Sequence, residues 1–286
     1  MDRITKIQLK NGMGDAINAR SFLIEYCNQL HIPQESITIY TDRHKVFFEG
    51  DKFILKNQND VHIKLRWFYG FGHINIPKRT LEPDPELKIS MSSGIKFSFN
   101  AIHEFNWKIP NIDHIKLPEK FVTVNFGYDA IASHDDICAK MWKLEYWNEL
   151  VSKIGIPCVQ IGGGFSCKSI EGTALNLVNK LSIKESAEVM KRALFHIDTE
   201  GGLPILNHHL HGKSVVLFGP TCMKYYGRPE NLNLKKNPCI YKYCELNPQV
   251  SHGMYMNKND LKCDIICMKD LTPDYVLEQI YKNKWL

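Results

Sequence analysis

Three glycine-containing loops carry the side chains best suited to chemistry in this sequence. Each follows a run of apolar residues that is typical of a buried strand, and each precedes a helical pattern. The loops are Asn11-Gly12-Met13-Gly14-Asp15, Gly162-Gly163-Gly164 and Asp198-Thr199-Glu200-Gly201-Gly202. Because ligands of parallel sheets bind beyond the carboxyl ends of the strands, we predict that all three loops line ligand sites.

The first loop ends on a carboxylate, Asp15, whose type and position allow two interpretations. It could be an ordinary N-cap of the helix that follows. It could also be a general base that accepts the proton of a hydroxyl group in a cleft. Gly12 and Gly14 would let the backbone approach a substrate closely. The residues alone leave both interpretations open.

The second and third loops favour an anionic, hydroxyl-rich ligand. Three consecutive glycines cost chain entropy, so contact with a ligand explains residues 162–164 better than a tight turn does. In the third loop, Asp198 and Glu200 can hold ribose hydroxyls, while the amides at Gly201 and Gly202 can bind phosphate. The alternative for this loop is a helix start capped by Asp198 or Thr199.

Alternating strand and helix patterns must position these loops. Strands are expected at residues 4–9, 36–40, 121–126, 157–161, 194–197 and 213–218, with shorter β-like runs at 53–55 and 61–68. Helices are expected at residues 16–30, 140–154 and 183–193, and a linker at 109–118. The repeated order of strand, glycine loop and helix predicts an α/β fold with a parallel sheet covered on both faces. We expect two domains, residues 1–116 and 117–286.

Composition excludes several classes of protein. The 286 residues are 44% hydrophobic and 23% charged, which is an ordinary globular balance. The net charge of +5 comes from scattered basic residues, so no nucleic-acid partner is expected. An anionic small ligand and peripheral contact with an anionic membrane both remain compatible with it. The sequence has neither an apolar run of the ~20 residues that a transmembrane helix needs nor a signal peptide, so we expect a cytoplasmic protein.

The nine cysteines are unevenly distributed, and five of them lie in the last quarter of the chain. Four residues separate Cys239 from Cys244, and three separate Cys263 from Cys267. Two close pairs of thiols suit tetrahedral coordination of zinc or iron. The alternative is four buried thiols in an ordinary helical cap, and spacing alone does not choose between the two.

Several segments resemble the heptosyltransferase family, glycosyltransferase family 9. Lys140-Met141-Trp142-Lys143-Leu144-Glu145-Tyr146-Trp147 is similar to its Lys-x-Trp-x-x-Glu-x-Trp segment. Asp198-Thr199-Glu200-Gly201-Gly202 is similar to its Asp-Thr-Gly block, and Phe218-Gly219-Pro220-Thr221 to its Phe-Gly-Pro-Thr block. Gly14-Asp15 falls where the family has a Gly-Asp pair. The resemblance is strongest over residues 121–221 and weak over 45–118.

This resemblance implies a GT-B fold, in which two Rossmann-like domains flank a cleft. It implies an inverting sugar transfer from a nucleotide-sugar donor, favouring the ADP-heptose type, to a hydroxyl of a bacterial glycan or protein, without a catalytic metal. Asp15 would be the general base and Lys140 would neutralise donor phosphate. Asp198, with the backbone at Gly201 and Gly202, would line the nucleotide site.

The inserted Glu200 and the glycine pair after it resemble the branch of the family that glycosylates bacterial autotransporter proteins. That branch binds iron through carboxyl-terminal cysteines, which implies a structural metal at Cys239, Cys244, Cys263 and Cys267. Homo-oligomerisation is compatible with this resemblance. The family's histidine after the Asp-Thr-Gly block is replaced by Leu203-Pro204-Ile205-Leu206. We interpret the nearby His208 and His209 as helix histidines rather than ligand contacts.

Two other functions remain open at this point. An epimerase of GT-B architecture would act on the donor without an acceptor, and a nucleotide-sugar-binding protein would bind the donor without turnover. An NAD-dependent oxidoreductase is disfavoured because the first loop lacks the G-x-G-x-x-G pattern.

Overall fold

The structure, a computed structural model, describes residues 3–9, 12–57, 85–127, 136–138, 140–164, 167–236, 255–257 and 265–286. It divides into two compact units, Met1–Lys108 and Ile109–Leu286, here called unit 1 and unit 2. The boundary expected after residue 116 falls in the irregular chain that opens unit 2.

Unit 1 contains a three-stranded parallel sheet in the order β1–β2–β3. Its strands are β1 (Lys6–Gln8), β2 (Thr38–Tyr40) and β3 (Ile54–Lys56), and its helices are α1 (Met13–Gln29) and α2 (Pro85–Ser93). Short 3₁₀ helices span Gln34–Ser36 and Lys45–Phe48. Helix α2 has Pro85 in its first turn, where proline is tolerated. The β-like run at 61–68 lies outside the described residues.

A buried ion pair fastens α1 to the rest of unit 1. The Arg20 guanidinium donates two hydrogen bonds to Asp51, at 2.7 and 3.0 Å, and two more at 2.9 Å to the carbonyls of His103 and Glu104. It also lies over the Phe105 ring, 4.9 Å from the centroid. A bidentate pair of this kind is geometrically specific, so it fixes the helix that carries Asp15.

Unit 2 is built on a six-stranded sheet in which every neighbouring pair is parallel. Its strands are β4 (Val122–Asn125), β6 (Cys158–Ile161), β7 (Leu175–Asn176), β8 (His196–Thr199), β9 (Ser214–Leu217) and β10 (Leu232–Leu234). Two further strands, β5 (Asp136–Cys138) and β11 (Tyr255–Asn257), form a separate antiparallel pair. The order across the large sheet is β10–β9–β8–β4–β6–β7, which is the Rossmann order with its switch point between β4 and β8.

Helices cover both faces of the large sheet. They are α3 (Leu144–Lys153), α4 (Ile183–Arg192), α5 (Gly202–His209), α6 (Met223–Tyr226), α7 (Ile266–Lys269) and α8 (Pro273–Lys282). Apolar residues of α3 and α8 share one core with Val122 and Val124 of β4. On the opposite face, Asn207 of α5 donates a hydrogen bond to the Ser214 hydroxyl of β9. None of the helices in the described part of the chain is long and apolar enough to cross a bilayer.

Two boundaries that matter for function differ from the sequence prediction. Helix α3 begins at Leu144 rather than at residue 140, because the Trp142 indole donates to the Leu271 carbonyl (2.6 Å) and holds the preceding segment extended. Strand β8 ends at Thr199 rather than at residue 197, so Asp198 lies inside the sheet and not in the loop beyond it.

Candidate functional site

Four polar side chains lie together on one face of the large sheet, at the switch point. Thr123 and Asn125 alternate along β4, and His196 and Asp198 alternate along β8, so all four share a face. The register pairs Thr123 with His196. All four are buried, and we call them the polar square. A polar group of this kind inside a parallel sheet is costly unless its hydrogen bonds are satisfied, and here they are met by the square itself together with the Thr199 amide and the Cys167 thiol.

Asp198 is the acceptor at the centre of this network. The Asn125 amide donates to both of its carboxylate oxygens, at 3.1 Å each, and the Thr199 backbone amide donates to Oδ1 at 2.7 Å. The His196 Nε2 lies 3.4 Å from Oδ2, and its Nδ1 lies 3.0 Å from the Thr123 hydroxyl. Full burial raises the pKa of Asp198 above its ordinary value, while these hydrogen bonds and the nearby His196 act to lower it.

The glycine loop after β6 packs directly against the polar square. Gly162 has φ +116°, and a Cβ atom there would lie 2.2 Å from the Asn125 Oδ1. Gly164, with φ +99°, donates its amide to the Asn179 Oδ1 at 2.8 Å. The loop therefore needs glycine at 162 to admit the Asn125 side chain. This contact within the chain accounts for Gly162 without the ligand contact that the sequence suggested.

A charged pair, Lys140 and Glu200, lies where β8 ends. The Lys140 ammonium donates to the Glu200 carboxylate, and each side chain is only 11% exposed. The Glu200 amide in turn donates to the Leu217 carbonyl at 3.0 Å, which fixes the loop against β9. The structure thus places Lys140 beside the third loop, where Glu200 compensates its charge, and its contact with donor phosphate stays a prediction.

Helix α5 begins immediately after this pair. Its N-cap is Gly201, in extended conformation and without a side-chain hydrogen bond, so the interpretation of Asp198 or Thr199 as a cap is wrong. The first amides of a helix have no partner inside the helix and attract anions. The backbone amides of Gly202 and Leu203 lie in this first turn, whereas Pro204 has no amide hydrogen to donate.

Asp15 is placed differently from either sequence interpretation. It is the third residue of α1, half-buried in the first turn, and follows Gly14. The N-cap is Gly12, which has no side-chain hydrogen bond, so the N-cap interpretation of Asp15 is wrong. Its role as a general base stays a prediction.

The carboxyl-terminal cysteines are described only in part. Cys267 is buried in α7 and belongs to the core of unit 2, whereas Cys239, Cys244 and Cys263 lie outside the described residues. Among the residues that the structure does describe, no three His, Cys, Asp or Glu side chains are grouped so as to hold a metal ion.

The two histidines near the third loop lie in the last turn of α5. His208 and His209 are both buried, and the His208 Nδ1 pairs with the Glu230 carboxylate. Both are therefore helix residues, but the His208 Nε2 is buried without a hydrogen-bond partner among the described residues, and the absence of a ligand contact stays a prediction.

Of the four residues of the polar square, only Asp198 was predicted from the sequence as a site residue. The other three residues also have a recognisable signal in the sequence. Thr123, Asn125 and His196 interrupt apolar strands at alternate positions, on the face that Asp198 also occupies. In a strand buried on both faces, a polar side chain needs a partner, and that requirement points to a site.

The fold identifies the proteins that this chain is similar to. No model of a protein family matches the sequence, and no protein of curated function matches it. Among solved structures, the iron-containing dodecameric glycosyltransferase TibC from enterotoxigenic E. coli superposes with a TM-score of 0.69 at 14% identity, over 98% of this chain and 76% of that one. A glycosyltransferase family 9 protein from Veillonella parvula gives 0.64 at 12% identity, over 99% and 98%. The heptosyltransferase II of E. coli gives 0.51 at 13% identity, over 98% of both chains.

The chain has the fold of the heptosyltransferases. The predicted resemblance and the predicted α/β fold class of GT-B type are therefore confirmed. The site described above lies at the switch point of the carboxyl-terminal sheet of this fold.

The contact between Gly162 and Asn125 yields a test of the site's construction. Gly162→Ala places a methyl group against the Asn125 amide in a backbone conformation that alanine disfavours. We expect it to lower the free energy of unfolding by about 1–3 kcal/mol. Gly163→Ala is the matched control, because its Cβ meets only the Asn179 Oδ1, at 3.1 Å, and should cost less than about 1 kcal/mol. Denaturant unfolding measures both, and equal losses would contradict the described packing.

Proposed function

We propose that this chain is an inverting glycosyltransferase that moves a heptose or hexose from a nucleotide-sugar donor to a hydroxyl of a bacterial glycan or protein. The observation that carries the proposal is the buried Asp198 carboxylate at the switch point of a Rossmann-ordered sheet. Switch points are where such sheets bind nucleotides. TibC, which shares the fold, has been solved in complex with ADP-D-β-D-heptose, so an ADP-heptose-type donor is favoured.

The donor's charged and hydroxyl groups each have a complement in unit 2. Asp198 is held by three donors, and its remaining acceptor capacity suits ribose or sugar hydroxyls. The diphosphate suits the first turn of α5, next to Lys140. Because Lys140 is already paired with Glu200, the diphosphate has to compete with that carboxylate for the ammonium group. The Lys140–Glu200 pair thus positions the ammonium group and compensates its charge before the donor binds.

Unit 1 supplies the base in this proposal. A hydroxyl is a poor nucleophile at neutral pH, so a carboxylate has to accept its proton while the bond to the anomeric carbon forms. Asp15, half-buried in the first turn of α1, is the residue that we assign to this step. The hydroxyl oxygen attacks the anomeric carbon as the nucleoside diphosphate leaves, and a single displacement of this kind inverts the configuration. No step requires a metal ion.

Three further features belong to the proposal: the location of the protein, its self-association and a structural metal. The excess of basic residues supports peripheral contact of a cytoplasmic protein with a membrane. The dodecameric state of TibC supports self-association, and its iron content supports iron over zinc at the four cysteines. Any such metal would be structural, because four thiolates leave no open position for a substrate.

The donor site is tested by removing its charges. We expect Lys140→Ala and Asp198→Ala each to weaken binding of an ADP-sugar about ten-fold, which corresponds to ~1.4 kcal/mol. Lys153→Ala is the control, because that lysine is on the same unit but pairs at the surface with Glu149 and Asp274. Calorimetric titration measures all three variants, after a thermal-shift comparison of ADP-, GDP-, UDP- and CMP-sugars has selected the donor. Wild-type affinity in both site variants would rule this site out.

The base is tested by Asp15→Asn, which preserves shape and removes the charge. We expect kcat to fall by about 10²-fold or more, the scale of general-base catalysis, with little change in donor affinity. The lost interaction with the α1 dipole should cost no more than about 1 kcal/mol of stability, so unfolding has to be checked alongside the rate. Steady-state kinetics with a working acceptor gives the answer, and a variant that keeps most of its kcat removes Asp15 from the mechanism. Donor epimerisation without an acceptor would favour the epimerase instead.

The metal is tested by elemental analysis of protein purified without chelators. Four coordinating thiolates predict close to one iron or zinc per chain. Cys239→Ser or Cys263→Ser should lower both the metal content and the stability, because metal binding and folding are coupled. Cys27→Ser, at a buried thiol of unit 1, is the control and should leave the metal content unchanged. Metal-free wild-type protein would support four buried thiols instead.

A further inference from the structure

We propose that His196 and Thr123 are positioning residues that keep Asp198 ionised and oriented toward the hydroxyl groups of the donor. The assignment of a ligand to Asp198 rests on the proposed function, whereas the effect of His196 and Thr123 on the carboxylate rests on the polar square alone. Neither residue belongs to a block that carries the resemblance, although His196 lies two residues before Asp198, and neither has a part in the mechanism above.

The hydrogen bonds form a chain from Thr123 through His196 to Asp198, which lies near the carboxyl end of β8. The Thr123 hydroxyl lies 3.0 Å from the His196 Nδ1, and the His196 Nε2 lies 3.4 Å from the Asp198 Oδ2. A neutral imidazole donates from one ring nitrogen and accepts at the other. When the hydroxyl donates to Nδ1, the ring proton is on Nε2 and faces the carboxylate. Because an ionised carboxylate can only accept, Asp198 favours this tautomer of His196, and the Thr123 hydroxyl supports it by donating to Nδ1.

The groups that face Asp198 come from three elements. Asn125 on β4 and the Thr199 amide on β8 donate to it, and His196 on β8 is the titratable base beside it. The Cys167 thiol follows the glycine loop, and burial raises its pKa to about 11, so it is neutral at physiological pH. Its sulfur contacts the Phe126 carbonyl and the Asn125 side chain. His196 is therefore the facing group through which proton occupancy can influence the carboxylate.

The hydrogen bond from His196 matters because Asp198 is buried. Burial favours the protonated acid, and each hydrogen bond to the carboxylate opposes that tendency. Loss of the His196 donor should shift the pKa of Asp198 further upward. The acid would then gain a proton as the pH falls, and hydroxyl groups would lose an acceptor. A ligand that depends on the carboxylate would accordingly bind more weakly at low pH.

Calorimetric titration with ADP between about pH 5.5 and about pH 8.5 tests this, because a buried carboxyl that loses a hydrogen-bond donor gains its proton at a higher pH. The quantity to compare is the affinity of each variant divided by that of the wild type at the same pH, because protonation of ADP itself then cancels. In His196→Leu the ratio should fall by about ten-fold or more from the alkaline to the acidic end, because the carboxyl that has lost this donor gains its proton at a higher pH. His196→Gln, which restores an amide donor, should recover most of that loss.

Two further variants test the other two members of the hydrogen-bond chain, Thr123 and Asp198. Thr123→Val is nearly isosteric and should give a smaller fall in the same direction, whereas Asp198→Asn should bind weakly at every pH. A ratio that is uniformly low in His196→Leu, with no dependence on pH, would mean that His196 only fills space, and it would overturn the proposal. Thermal unfolding confirms that each variant is folded, and Thr123→Val takes the place of His196→Leu if the latter is not.

Carbon-13 NMR of the Asp198 carboxyl in ligand-free protein separates this inference from the proposed function. The carboxyl should titrate at a lower pH in the wild type than in His196→Leu and Thr123→Val. If the wild type binds no ADP, the proposed function fails, and the NMR titration still decides the role of His196. Titration of the carboxyl at the same pH in all three proteins would overturn the inference even if ADP binds.

Discussion

The hydrogen bonds from the Asn125 amide to the Asp198 carboxylate are the interaction on which the rest of unit 2 depends. They join β4 to β8 at the point where the strand order of the sheet reverses, and they bury a carboxylate there. A buried carboxylate needs several donors, so the neighbouring positions are constrained in turn. Gly162 has to lack a side chain to make room for Asn125, and His196 has to present a nitrogen to Asp198.

The charges around this point are arranged so that each is compensated before any ligand arrives. Asp198 has its donors, and Lys140 has Glu200. Such compensation limits the cost of burying ionic groups, and it also means that an anionic ligand binds by exchange of partners rather than by filling an uncompensated site. The helix start at Gly202 adds a partial positive charge that needs no counter-ion. A nucleotide diphosphate matches this arrangement better than a neutral ligand does.

The sequence was sufficient to predict the parallel sheet and four of its six strands in unit 2, because apolar periodicity and glycine punctuation are local signals. It did not predict the short edge strands β7 and β10, and it placed Asp198 in a loop rather than in β8. It was not sufficient to predict the polar square. Asn125 and Asp198 are 73 residues apart, and their contact depends on a register that no local pattern specifies. The start of α3 was missed for a similar reason, since the Trp142 bond to Leu271 spans 129 residues. In unit 1, Asp15 was singled out by its position after a glycine loop, and its place in the first turn of α1 came only from the structure.

Hydrogen–deuterium exchange of the protein with and without an ADP-sugar tests the central claim most directly, because it reports where the ligand reduces opening of the backbone. The account predicts slower exchange at residues 162–164 and 199–203 when the donor is bound, with no change in α8, which lies on the other face of the sheet. Protection confined to other segments, or no protection at a concentration that saturates binding, would contradict the assignment of the donor site to Asp198 and the start of α5.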